Sequence, residues 1–84
     1  MKKKLLGKNI SYFDSFSGSH YNFCIAWVEE FEDSVHVKPQ QEDHWGVYIP
    51  KPILHELVTV GTVTKYFTIE GCSCREKWTI YRPR

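Results

Sequence analysis

The sequence lacks any long hydrophobic run. Leu5 and Leu6 follow three lysines, as at the start of a secretory signal, but Gly7, Lys8 and Asn9 interrupt the run at once. A signal peptide needs about 7–15 apolar residues, and a membrane-spanning helix needs roughly 18 or more. No stretch of this chain approaches either length. We therefore expect a cytoplasmic protein without a membrane anchor.

Cysteine is also scarce, with three residues in the whole chain. An odd count is typical of a reducing compartment rather than of a disulfide framework. Cys72 and Cys74 resemble only half of a zinc site, since structural zinc sites combine two ligand pairs. The remaining ligands would be Cys24, which we place in a buried strand, and one of the scattered histidines. We therefore predict no metal and no cofactor.

The common catalytic and nucleotide-binding motifs are absent as well. The chain contains no G-x-G-x-x-G, no P-loop and no G-x-S-x-G. It has no repeat, no low-complexity tract and no linker, and 84 residues suit one domain. A domain of this size has little volume for a small-molecule pocket. We predict a basic, frayed lead over residues 1–8, a single globular domain over residues 9–84, and no catalytic residues.

Aromatic residues are abundant, with three Trp, five Tyr and five Phe. They fall in alternating patterns that are typical of strands with one buried face. The clearest example is a hairpin near the C-terminus, in which Val63, Phe67 and Ile69 share one face, and Trp78 and Ile80 form the matching face. The intervening segment 70–76 predicts a wide turn.

The other patterns predict further strands and one short helix. Pro52 and Gly61 are the start and stop signals of a helix, because proline suits a first helical turn and glycine suits a C-cap. The β-branched residues before Gly61 would also suit extended chain. These elements are strands over 9–16, 20–31, 34–38 and 45–49 and a helix over 52–58. The fold class is mostly β, or α+β, with five to six antiparallel strands in a bent sheet or small open barrel.

Charge is distributed unevenly although the net charge is only +1. Between residues 29 and 43 there are six acidic residues and one lysine, a local net charge of −5 that leaves +6 for the rest of the chain. Such asymmetry affects association more than folding. The acidic residues are Glu29, Glu30, Glu32, Asp33, Glu42 and Asp43.

This combination favours a non-catalytic protein-binding domain. Acidic side chains can dock on a basic surface, and Trp and Tyr are preferred interface anchors. The most concrete version is an inhibitor or modulator of a larger protein or protein–nucleic acid machine, of the kind found among phage-encoded accessory proteins. The predicted partner-binding residues are Glu29, Glu30, Glu32, Asp33, Trp45 and Tyr48.

Two other functions and a homodimer fit parts of the sequence. Small barrels bind single-stranded nucleic acid with exposed aromatic and basic residues, and an unpaired edge strand would allow a second copy to pair. A metal-independent ribonuclease could use His36 with Lys38 and His44, or Tyr81 with Arg82 and Arg84. The residues predicted for nucleic-acid binding are Lys65, Tyr66, Lys77, Tyr81 and Arg82.

Overall fold

The computed structural model describes residues 2–41 and 43–82. Within these residues the chain forms seven strands, one helical turn and one longer helix. The helical elements are α1 (Lys2–Leu5) and α2 (Lys51–Val60). The strands are β1 (Asn9–Asp14), β2 (His20–Cys24), β3 (Trp27–Glu30), β4 (Ser34–Lys38), β5 (Val47–Pro50), β6 (Thr62–Ile69) and β7 (Cys72–Tyr81).

The strands form two antiparallel sheets. The larger has the order β2-β1-β7-β6, and the smaller has the order β3-β4-β5. Pairing of β1 with β7 brings the two ends of the chain together in the middle of the larger sheet. The predicted mostly β class is confirmed. The strands outnumber the predicted five to six, and the two sheets are not closed into a barrel.

The extra strand arises because the predicted strand over 20–31 is two strands in different sheets. At Ile25 the backbone still pairs with the larger sheet, accepting from Gly7 N–H (3.0 Å) and donating to the Lys8 oxygen (2.8 Å). The next residue, Ala26, already donates to the Lys38 oxygen of the smaller sheet (2.9 Å). Ile25 is buried, and the next buried residue is Val28 rather than Trp27. The alternation of inward and outward side chains is therefore interrupted here. The prediction of one buried strand over 20–31 was therefore wrong.

The C-terminal hairpin is confirmed, but its turn is tighter than predicted. Strands β6 and β7 pair from Thr62↔Thr79 to Ile69↔Cys72, so that only Glu70 and Gly71 connect them. Both connecting residues have positive φ, 50° and 81°, as a two-residue type I′ turn requires. The segment predicted as a wide turn is therefore mostly strand. The tight turn lengthens the pairing between β6 and β7, and it places Cys74 on the buried side of β7.

Helix α2 is confirmed and is longer than the predicted 52–58. Pro52 lies in its first turn, and Leu54 and Leu57 are its buried residues. Gly61 ends it in the left-handed conformation (φ 96°), with its N–H donating to the Leu57 oxygen. Thr59 is accommodated because its hydroxyl donates to the His55 oxygen (2.9 Å). Burial of one helical face outweighs the lower helix propensity of the β-branched residues.

The inner faces of both sheets and α2 enclose one hydrophobic core. Leu5 belongs to it with no exposed area, and Gly7 and Lys8 are held by backbone hydrogen bonds. The N-terminal lead is therefore anchored at Leu5, contrary to the frayed segment expected there. The buried core residues are Leu5, Ile10, Ile25, Val28, Val35, Val37, Val47, Ile49, Leu54, Leu57, Val63, Trp78 and Ile80.

Candidate binding surface

The outer face of the smaller sheet carries a continuous group of aromatic rings. The His36 ring stacks on Tyr48 with centroids 4.0 Å apart, and Trp27 meets His36 edge-on at 5.5 Å. Phe31 extends the group beside Tyr48 at 6.3 Å. The Lys38 ammonium lies 5.3 Å from the Trp27 ring centre, a cation–π contact. We call this surface, together with Trp45, the aromatic face.

Strand alternation explains why these rings point outward. In β4, Val35 and Val37 are buried, so His36 and Lys38 must face the other way. The register then places Trp27 opposite Lys38 and Tyr48 opposite His36. A small domain that leaves several large rings in contact with water retains apolar area that a partner could cover.

Trp45 is the most exposed large hydrophobic side chain among the described residues, at 87%. It comes from the loop between β4 and β5, and the peptide unit that joins it to Gly46 is held at both its oxygen and its nitrogen. The His36 Nε2–H donates to the Trp45 oxygen at 2.6 Å, since a carbonyl can only accept. The Gly46 N–H donates to His44 Nδ1 at 2.9 Å. The indole is therefore exposed on a fixed backbone.

His44 fastens this loop to the larger sheet. Its ring lies edge-on against Tyr21 at 5.5 Å and against Phe23 at 5.1 Å. The ring also accepts the Gly46 N–H, so one half-buried side chain positions the loop through apolar contact and hydrogen bonding. A fixed loop loses little conformational freedom on binding, which favours affinity.

Replacing Gly46 by alanine is expected to distort this loop and destabilise the domain by about 2–4 kcal/mol, more than the ~1 kcal/mol of a positive φ alone. Gly46 has φ +74°, and an added Cβ would collide with the Val37 carbonyl oxygen. Gly18 is a matched control, because its φ is +73° and an added Cβ there meets nothing within 4 Å. Urea unfolding of both variants measures the difference. Equal losses of stability would contradict the close approach at Gly46.

Acidic side chains surround the aromatic face. Glu29 lies on it opposite His36, and Glu32 and Asp33 are exposed in the turn beside Phe31. At the other end, Asp43 lines a depression of about 400 Å³ with His36, Lys38, His44, Trp45 and Tyr48. We call these four carboxylates the acidic rim. An apolar centre with a polar border is the usual composition of a protein interface.

The structure brings most of the predicted partner-binding residues together. Trp45 and Tyr48 belong to the aromatic face, and Glu29, Glu32 and Asp33 belong to the acidic rim. Glu30 is different, because its carboxylate pairs with the Lys51 ammonium at 3.1 Å on the side of α2. Glu42, also counted in the acidic segment, lies outside the described residues.

Three contributors to this face were missed from the sequence: Trp27, Phe31 and His36. In the sequence, Trp27 continues the alternation of Tyr21, Phe23 and Ile25, which predicts that it shares their side of the strand. The signal that could have corrected this is Val28, an apolar residue followed by two glutamates, which marks a new inward position. His36 was considered only as a catalytic group.

The histidines proposed for ribonuclease chemistry do share one depression with Lys38. Each ring, however, uses one nitrogen on the loop backbone, His36 as a donor to Trp45 and His44 as an acceptor from Gly46. Catalysis by these residues stays a prediction, and loss of RNA turnover in a His36→Ala variant would support it. The other set includes Arg84, which lies outside the described residues.

The residues predicted for nucleic-acid binding divide between two sides of the larger sheet. Val63 and Trp78 are buried and face each other across β6 and β7. By alternation, Lys65 shares their inner side. Tyr66, Lys77 and Tyr81 therefore face outward, and Arg82 follows the end of β7 as an exposed residue.

The cysteines do not converge. Cys24 is exposed on the edge strand β2, contrary to the buried position predicted for it, and Cys72 is exposed whereas Cys74 is buried. Residues 2–41 and 43–82 contain no group of three or more potential ligands that could hold a metal ion. In the same residues, no helix has the length and apolarity needed to cross a membrane.

Comparison with protein-family models, with curated proteins and with solved structures found no match.

Proposed function

We propose that this chain is a non-catalytic binding domain that docks another protein on its aromatic face. The observation that carries the proposal is Trp45, an 87% exposed indole on a backbone held by His36 and His44. An exposed side chain gains no stability from such fixation, whereas a binding anchor gains affinity from it. Trp27, Phe31 and Tyr48 supply further aromatic area around this anchor.

The acidic rim indicates the chemistry of the partner. Four carboxylates border the aromatic face, while Lys38 is the cation that lies on it. A complementary partner has an apolar groove for the rings and Lys or Arg side chains along its border. This chain would then act as an inhibitor or modulator that covers a basic functional surface of a larger macromolecular machine. We place this activity in the cytoplasm, in keeping with three unpaired cysteines.

The test compares three forms of the tagged protein as baits in host lysate treated with nuclease. These are the wild type, Trp45→Ala, and Tyr66→Ala as a control that removes an exposed aromatic residue elsewhere. A protein retained by the wild type and by Tyr66→Ala, but lost by Trp45→Ala, supports the proposal. Equal retention by all three forms would reject the aromatic face as the docking site.

Self-association provides a second check on the partner. Light scattering measures the mass of the purified wild type and of Trp45→Ala over a range of concentrations. A monomer in both cases is expected if the partner is a different protein. A wild-type dimer that Trp45→Ala converts to monomer would instead identify the aromatic face as a contact between two copies.

Reversing two charges of the acidic rim, Glu29→Lys with Glu32→Lys, is expected to slow association about tenfold at low ionic strength. Dissociation should change little, because rim charges act mainly on diffusional encounter. The matched control is Glu56→Lys with Glu70→Lys, which changes net charge equally at exposed positions away from the face. Stopped-flow kinetics with the purified partner at several salt concentrations measure both pairs. Identical rates for the two pairs would show that total charge alone acts.

A further inference from the structure

The larger sheet has an outer face that no helix or strand among the described residues covers. Trp78, Ile80 and Ile10 are buried on its inner side, and the register assigns the alternate positions to the outer side. Most of those alternate positions are exposed. They are Asn9, Ser11, Phe13, His20, Asn22, Cys24, Thr62, Thr64, Tyr66, Thr68, Ser73, Arg75, Lys77, Thr79 and Tyr81.

Charge on this outer face is of one sign. Its strand positions include Arg75 and Lys77 and no carboxylate. The acidic residues of the same strands alternate to the inner side, where the Tyr12 hydroxyl donates to Glu76 at 2.7 Å. Burial, and then this hydrogen bond to the carboxylate, raise the pKa of Tyr12 above its ordinary value. Neither Arg75 nor Lys77 forms an ion pair with a described residue.

Aromatic and cationic groups form a row across the four strands of this face. Tyr66 of β6 lies opposite Arg75 of β7. The Arg75 guanidinium lies 5.8 Å from the centre of the Phe13 ring in β1. Phe13 in turn meets the His20 ring of β2 edge-on at 6.5 Å. Three strand spacings make this row about 14 Å long, and Lys77 flanks it opposite Phe13.

We propose that this outer face binds single-stranded nucleic acid. Bases would stack on Tyr66, which is 76% exposed, and on Phe13, while Arg75 and Lys77 contact phosphates. Two cations on a face without carboxylates suit any polyanion, but the rings of Tyr66 and Phe13 beside them favour the polyanion whose units have π-faces. A single strand is favoured over a duplex, because paired bases hide these faces from a flat sheet that has no element to insert into a groove.

The experiment measures fluorescence anisotropy of a labelled oligothymidylate of about 15 nucleotides in about 50 mM salt. A duplex of the same length is the comparison. We expect the single strand to bind at least tenfold more tightly than the duplex. We expect Tyr66→Ala to weaken binding about tenfold, within the range measured for a stacked base. Val60→Ala, a change at an exposed residue of α2 away from this face, should leave affinity unchanged.

The charge contribution is measured separately from stacking. Arg75→Gln and Lys77→Gln should each reduce the salt slope of log K by about 0.7, the value for one phosphate of a single strand. Phe13→Leu keeps an apolar side chain while removing the ring, and should weaken binding as Tyr66→Ala does. Far-ultraviolet circular dichroism and urea midpoints check that each variant is folded.

Three results would overturn the proposal: no binding of the single strand at low salt, equal binding of single strand and duplex, or unchanged affinity in both ring variants. Polyglutamate that competes as well as the oligonucleotide would also overturn it, since charge alone would then be recognised. The proposal stands apart from protein docking on the aromatic face. Trp45→Ala should leave oligonucleotide affinity unchanged, so either surface can fail its test without the other.

Discussion

Replacing Trp45 by alanine should weaken binding of the protein partner by at least thirtyfold, about 2 kcal/mol, while the domain keeps its stability. The indole is 87% exposed in the free protein, so its removal leaves no cavity in the core. Substitutions at exposed positions usually change the free energy of unfolding by less than about 0.5 kcal/mol. The hydrogen bonds that fix this backbone, from His36 to the Trp45 oxygen and from the Gly46 N–H to His44, do not involve the indole. Affinity and stability should therefore separate in this one variant.

Isothermal titration with the purified partner measures affinity, and urea unfolding measures stability. Tyr66→Ala is the matched control, because it also removes a highly exposed aromatic ring, but from the larger sheet. Trp27→Ala is expected to have an intermediate effect, since Trp27 is partly covered by His36 and Lys38. Wild-type affinity in Trp45→Ala would remove the main support for docking on the aromatic face. A loss of stability together with affinity would show that the loop, rather than the indole, was disturbed.

Replacing Trp78 by alanine should have the largest effect on folding, a loss of about 3–5 kcal/mol. Trp78 is 1% exposed and is the largest fully buried side chain among the described residues. It lies on β7 between Tyr12 of β1 on one side and Val63 of β6 on the other. Small domains have total stabilities near the lower end of about 5–15 kcal/mol. A large fraction of the Trp78→Ala molecules should then be unfolded in water.

Trp78→Phe keeps the prediction measurable if the alanine variant does not fold. The Trp78 Nε1–H is buried without a hydrogen-bond partner among the described residues, and an unsatisfied buried donor costs about 1–3 kcal/mol. Phenylalanine removes that cost while leaving a smaller ring, so the net loss should be about 1–2 kcal/mol, well below that of Trp78→Ala. Urea unfolding followed by circular dichroism measures both variants. A loss in Trp78→Phe equal to that in Trp78→Ala would contradict the unpartnered indole nitrogen.

Part of the candidate site could be predicted from the sequence because aromatic and acidic residues cluster between residues 27 and 48. Trp45 and Tyr48 were selected as anchors, and both lie on the aromatic face. The sequence could not show that Trp27 and His36 join them. These contacts depend on the registers Trp27↔Lys38 and His36↔Tyr48, which pair residues distant in the chain. Alternation alone predicts that Lys65 and Tyr66 point to opposite faces of β6. Which of these faces packs on the core is known only from the structure.

Local patterns in the sequence by themselves determined the mostly β class, the β6–β7 hairpin, and a helix that begins near Pro52. Alternation, helical spacing and turn residues involve residues that are close in the sequence, so the sequence alone can predict the elements that depend on them. Tertiary structure alone decided that the segment 20–31 divides between two sheets at Ile25. It also decided which face of each sheet stays open. Period-two alternation distinguishes two faces of a strand but does not say which one is covered, because burial depends on elements packed from elsewhere in the chain.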